Sequence, residues 1–221
     1  ILSGDAMQIL AYKCLENYQS EIQKKLIKIF NDTALKICEG QQLDIEFEKL
    51  KDLKFSDYIH MIKYKTAVLL GSSLKMGGII NNVSETDLKL LYEIGLNLGL
   101  AFQIQDDYLD LFGYEKLIGK KIGGDVINRK KTVMYHVFKD TCSNEASHKL
   151  DQIFHDTEID DNIKIEKIKT FYQDAEVDLK TKKLSHDYSS KAISCIGDLN
   201  IQSENKNNLL DISNKLLSRN Y

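Results

Sequence analysis

Apolar residues along the 221-residue chain recur every three to four positions in most segments, with little of the strict alternation of a half-buried strand. Gly, Asn, Ser or Asp mark the breaks between these runs. The pattern predicts an all-α protein with helices at about 5–19, 21–39, 56–76, 85–112, 128–142, 161–184 and 203–218. Ser84 followed by Asp87 reads as an acidic variant of a capping box, and Asp5 and Ser56 are candidate N-caps.

Two connections stand out, a polar and acidic stretch from Gly40 to Lys54 and a stretch from Gly113 to Gly124 that mixes glycines with lysines. The second is the more informative, because glycine lets backbone approach a ligand closely and lysine supplies charge. No linker interrupts the chain, so residues 1–221 are expected to form a single helical domain, with a polar, peripheral helix after about Ser185.

Composition sharpens the helical reading. The chain has no proline, where about eleven would be average, and proline is the residue helices tolerate least. A net charge of −3 from 30 basic and 33 acidic residues argues against a nucleic-acid partner. No apolar run reaches the length of a bilayer span, and Ile1 to Asp5 show no signal pattern, so the expectation is a cytoplasmic protein without stable membrane insertion. The four cysteines form no paired cluster and read as ordinary thiols rather than a zinc site or disulfide framework.

The candidate chemistry begins at Gln103. At about 100° per residue from it, Asp106 falls near −60°, Asp107 near +40° and Asp110 near −20°, all within one arc of about 100°. Three carboxylates so close destabilise a helix unless a cation or solvent relieves them. An all-oxygen cluster without His or Cys suits magnesium, whose shell is commonly completed by substrate phosphates. A solvated acidic face is the plainer outcome. Tyr92, Leu96 and Gly99 project with Gln103, and this apolar stripe leading into the aspartates points to a pocket with an oily depth and a metal-binding mouth.

Two basic features accompany the aspartates. Lys65 lies on an apolar stripe with Tyr58, Met61, Ile62, Val68 and Leu69, so its ammonium needs a partner: a salt bridge, solvent at the stripe's edge, or a ligand phosphate. Gly113 to Lys131 holds six basic residues against two acidic ones and starts where the aspartate helix ends. Metal and positive charge converging at one mouth suit a diphosphate.

Phe102-Gln103-Ile104-Gln105-Asp106-Asp107-Tyr108-Leu109-Asp110, then Gly119-Lys120-Lys121-Ile122-Gly123-Gly124-Asp125, then Lys130-Lys131-Thr132 resemble in order and spacing the second aspartate-rich region of the trans-isoprenyl diphosphate synthases. Gly4-Asp5-Ala6, Gly40-Gln41 with Leu43-Asp44, Lys65-Thr66-Ala67 and Arg219 extend the match along the chain. The resemblance implies an isoprenoid-synthase-type helical bundle around a central cavity, working as a homodimer. It implies magnesium-dependent, head-to-tail transfer of an allylic diphosphate onto isopentenyl diphosphate, as in the short-chain farnesyl and geranylgeranyl enzymes. Asp106, Asp107 and Asp110 match the family's metal ligands, and Lys65, Asp106 and Lys120 its catalytic positions. Gln41, Lys65, Thr66, Gln103, Lys120 and Lys130 match substrate contacts, with Lys121 able to stand in for Lys120.

The family's first aspartate-rich motif normally precedes the Gly-Asp-Ala segment, which here begins at Gly4. The expectation is therefore the C-terminal two thirds of the fold, with one metal half-site and no prenyl transfer by these residues alone. Two alternatives stand beside the enzyme: a non-catalytic subunit that binds a partner synthase, favoured by the lacking motif, and a terpene cyclase, whose metal motifs differ from those here.

Overall fold

A computed structural model describes residues 1–50, 53–113 and 122–217 of the chain. Its helices are α1 Leu2–Lys13, α2 Ser20–Phe47, α3 Phe55–Ile62, α4 Val68–Ile80, α5 Glu85–Phe112, α6 Gly124–Ile127, α7 Val133–Thr141, α8 Asn144–His155, α9 Asp161–Asp174, α10 Val177–Asp198 and α11 Ser203–Leu217. No described residue lies in a strand.

α5 is the axis of the bundle. Its 28 residues span about 42 Å and bury apolar side chains on several faces, the mark of a helix enclosed by others. Leu96, Leu100, Ile104 and Leu111 join a core built with Met61 and Val68, Phe138 of α7, Phe154 of α8 and Tyr172 of α9. Leu91, Ile94 and Leu98 face Ala192 and Ile196 of α10. Ile94, Ile104 and Leu111 are fully enclosed, each contributing roughly 1.5–3 kcal/mol by burial. At the N-terminus of α5 the Ser84 hydroxyl accepts the Asp87 N–H at 3.1 Å, as the capping pattern predicts. The Asp87 carboxylate, however, accepts the Ser84 hydroxyl at 2.7 Å and the Asn200 N–H at 2.8 Å rather than the Ser84 N–H of a full capping box.

α3 and α4 form one rod interrupted by a π-helical turn, Lys63–Ala67. Glycines from two sides admit this wider turn. A Cβ on Gly40 of α2 would stand 2.3 Å from the Lys65 nitrogen, and one on Gly99 of α5 would stand 2.5 Å from the Ala67 Cα. Both distances are too short for any side chain, so the two helices touch the turn through bare backbone. The extra residue in the turn resets the helical phase. Hence Leu69, which regular counting places beside Lys65, is 50% exposed.

Several expectations change. Asp5 and Ser56 lie inside α1 and α3 rather than at their caps, and α1 ends at Lys13, not near 19. Gly40 does not end α2, which runs on to Phe47, because the glycine serves contact with the π turn. α8 is an unexpected helix whose polar sequence buries only Ser147, Leu150 and Phe154. The long helix expected at 161–184 breaks at Ala175, before Glu176 with its left-handed φ of 55°. α10 then packs along α5 instead of lying at the periphery, since Ala192 and Ile196 on its polar sequence suffice to seat it.

Candidate active site

The π turn and the C-terminal half of α5 face each other across a cavity of about 350 Å³. Lys65 lines it from the turn, Gln103, Asp106, Asp107 and Asp110 from α5, and Asp125, Lys130 and Lys131 from the segment after α5. Asp44 and Phe47 of α2 and Tyr58, Met61 and Ile62 of α3 complete much of the wall. Its apolar surface comes from these residues rather than from the Tyr92, Leu96 and Gly99 stripe. That stripe is filled by α4 and the π turn: Gly99 abuts Ala67, and Tyr92 covers Gly71.

The three aspartates differ sharply in surroundings. Asp106 is exposed and accepts no hydrogen bond among the described residues. Asp107 is only 5% exposed, and its carboxylate accepts the Tyr58 hydroxyl, the Val133 N–H at 3.1 Å and the Gln103 amide at 3.1 Å. Burial pushes the Asp107 carboxyl up to about 7 despite these three donors. Asp110 accepts the Asp125 N–H at 2.9 Å. Burial and then the charge of Asp125 push it up to about 6, with Asp106 adding to the rise. The Tyr58 phenol, enclosed and set against Asp107, is held well above its ordinary range.

The basic residues are similarly distinct. Lys65 does form a salt bridge, to Asp44 at 2.6 Å, while still bordering the cavity. Lys130 pairs with Asp125 at 3.3 Å. Burial pulls its ammonium down, and the neighbouring carboxylate of Asp125, with Asp44 and Asp107 beyond it, more than reverses that effect. The Lys131 ammonium donates to the Leu50 carbonyl.

Of the site residues read from sequence, Lys65, Gln103, Asp106, Asp107, Asp110 and Lys130 meet in this one cavity. Thr66 stands just behind it and donates to the Gln103 side-chain carbonyl at 3.0 Å, so Thr66, Gln103, Asp107 and Tyr58 form one connected polar network. Gln41 is exposed on α2 and does not border the cavity. Lys120 and Lys121 lie outside the described residues. Asp44, Tyr58 and Asp125 were missed as site residues. Tyr58 shares the Lys65 face, and Asp125 follows the Gly-Gly pair of the basic stretch, so both had a sequence signal. Nothing in the sequence pairs Asp44 with Lys65.

The donor set suits a hard divalent cation. Asp106 offers an unengaged carboxylate, and Asp110, raised first by burial and then by the charges of Asp125 and Asp106, stands where a cation would relieve both effects. Among the described residues, no three His, Cys, Asp or Glu side chains are grouped to hold a metal by themselves. An anionic ligand would have to complete the shell, as magnesium commonly requires.

Comparison with known proteins agrees with this arrangement. Residues 1–173 match the family model described as Polyprenyl synthetase. The chain is 39% identical over 135 residues to a short chain isoprenyl diphosphate synthase of Methanothermobacter thermautotrophicus, covering 61% of this chain and 42% of that protein. It is 41% identical over 138 residues to a geranylgeranyl diphosphate synthase of Saccharolobus solfataricus, again covering 61% of this chain and 42% of the relative. A crystal structure of a geranylgeranyl pyrophosphate synthase superposes with a TM-score of 0.92 at 40% identity, over 100% of this chain and 68% of that one. The matched regions thus span less than half the length of these two curated relatives. With a family match over most of its length and the same helical arrangement in a solved relative, the chain belongs to the polyprenyl synthetase family.

Proposed function

We propose that the chain carries the diphosphate-binding half of a short-chain isoprenyl diphosphate synthase, which joins an allylic diphosphate head-to-tail to isopentenyl diphosphate. The observation that carries this reading is the meeting of Asp106 and Asp110 with Lys65 and Lys130 in one cavity. Relatives named for geranylgeranyl and short-chain products support the substrate class.

Asp106 and Asp110 are the residues that would hold magnesium, which supplies charge neutralisation for a departing diphosphate. Lys65 and Lys130 add direct contacts to phosphate oxygens, while Lys120 and Lys121 remain candidates from the sequence alone. Asp107 has a different role in this account. Buried and saturated with donors, it fixes Gln103, Tyr58 and the start of α7, and so sets the direction of its neighbours. Met61 and Ile62 give the ligand's hydrocarbon an apolar wall.

A homodimer belongs to the same proposal. α1 buries none of its residues, leaving Leu2, Met7, Ile9 and Leu10 between 57% and 84% exposed. Leu35 of α2 is 64% exposed. A second copy would cover this apolar area, and light scattering that finds only monomer at micromolar concentration would contradict it.

The test of the reaction is incorporation of radiolabelled isopentenyl diphosphate with magnesium and allylic primers, using the whole reading frame that contains these residues. Asp106→Ala should reduce incorporation by at least about a hundredfold, as removal of transition-state charge stabilisation does. An unchanged rate would reject the reading. The 221 residues by themselves should bind diphosphate without turnover, because the described residues bring only part of a metal shell together.

A further inference from the structure

Lys65 and Lys130 border the cavity from different walls, one on the π turn and one on the segment after α6. Each faces a carboxylate of this chain. The pair between Lys130 and Asp125 is local, five residues apart at 3.3 Å. The pair between Lys65 and Asp44 joins two helices and is much closer, at 2.6 Å. It is also built in by the backbone. Gly40 lies so close to the π turn that a Cβ there would stand 2.3 Å from the Lys65 nitrogen, and Asp44 follows Gly40 by four residues, one helical turn along the same face of α2. The close approach of α2 to the π turn thus sets Asp44 opposite Lys65.

We propose that Asp44 is an internal competitor for the anion position, its carboxylate holding Lys65 in the ligand-free protein and giving it up when a diphosphate binds. The proposal rests on the diphosphate reading of the cavity and concerns how that site is regulated. Asp44 also acts through space on Lys130, so one carboxylate bears on both lysines that would grip the ligand. The side chains of Lys65 and Asp44 remain 33% and 21% exposed, so water weakens their attraction and a multiply charged phosphate can replace it. Asp44 then stays beside the bound anion as a like charge. It keeps Lys65 ordered before binding, lowers affinity for the anion, and hastens the release of a diphosphate product, a step that often limits turnover.

Isothermal titration calorimetry tests this with inorganic diphosphate and the 221-residue chain in EDTA, comparing the wild type, Asp44→Asn, Lys65→Gln and the double variant. Removing the competing charge should tighten diphosphate binding by about three- to tenfold. The gain should shrink once Lys65 is also replaced, because the two residues act through one contact. Asp44→Ser must follow Asp44→Asn, since both remove the charge while differing in shape. Unchanged or weaker binding by either variant overturns the competitor role and leaves the diphosphate reading intact. Binding detectable only after Asp44 is replaced supports both. If none of the four proteins binds diphosphate, the reading of the cavity fails and the proposal with it.

Discussion

α1 and α5 treat their apolar residues in opposite ways. α5 encloses Ile94, Ala101, Ile104 and Leu111 completely, whereas α1 leaves Leu2, Met7, Ile9 and Leu10 mostly in solvent. One helix is held by what surrounds it within the chain; the other presents an open apolar surface, the one the proposed dimer would cover. The difference teaches where stability and association reside. The cavity is built on the enclosed helix, so its geometry depends on the bundle, while the exposed helix can be altered without disturbing it.

The largest effect should come from cutting into the enclosed helix. Ile104→Ala should cost about 2–5 kcal/mol, since it empties a fully buried position. Met7→Ala should change the stability of the isolated chain by less than about 0.5 kcal/mol. Urea unfolding of the two variants compares them directly, and similar losses would break the contrast. Replacing Met7 and Leu10 by Glu should instead shift the proposed dimer toward monomer in light scattering, with little change in helix content.

Acid supplies the next effect. His136 is 2% exposed with its Nε2 unpartnered among the described residues, and burial, with Lys131 nearby, holds it down to about 4 from 6.5. The unfolded chain takes this proton first, so the stability from neutral His136 is present above pH 6.5 and is lost as pH falls through 4. Asp107 works in the reverse sense. Its folded value of about 7 lies above the ordinary 3.8, so its contribution is present below 3.8 and is lost as pH rises through 7. Asp110, raised to about 6, acts in the same sense as Asp107, and the wild-type profile combines all three groups. His136→Gln should flatten the acid-side loss by on the order of 3 kcal/mol in metal-free buffer, read from urea midpoints between pH 4 and 7. An unaltered profile would remove His136 as its source.

A smaller effect separates two adjacent residues. Asp107→Ala strands the Tyr58 hydroxyl, the Gln103 amide and the Val133 N–H, and should cost about 1–3 kcal/mol. Asp106→Ala breaks no hydrogen bond among the described residues and should cost less than about 0.5 kcal/mol. Thermal melts of both variants test this. Equal losses would mean that the burial of Asp107 has no energetic weight.

That pair also marks how far the sequence could be read. Helical periodicity placed α5 at its observed bounds, and rotation about its axis brought Asp106, Asp107, Asp110 and Gln103 to one side. Rotation alone cannot say that Tyr58 and Val133 close over Asp107 and leave Asp106 open, because those partners come from distant helices. The π turn escaped notice for a related reason. Lys63 to Ala67 carry no unusual propensity, and the turn depends on Gly40 and Gly99 meeting it from other elements. Gly40 even misled, since a glycine within a polar run reads as a break when its contact is unknown. Polar helices such as α8 and the end of α10 were illegible because two or three buried residues seat each of them.

Magnesium dependence of diphosphate binding is the most direct test of the central claim, that the exposed carboxylate of Asp106 and the two lysine walls form a metal-assisted diphosphate site. Calorimetry of a bisphosphonate against the wild type and Asp106→Ala, each with and without magnesium, gives the answer. The wild type should bind at least about tenfold more tightly with magnesium, and Asp106→Ala should lose that gain while keeping the weaker, lysine-based affinity. Equal wild-type affinity in both conditions, or a full magnesium gain in Asp106→Ala, would contradict it.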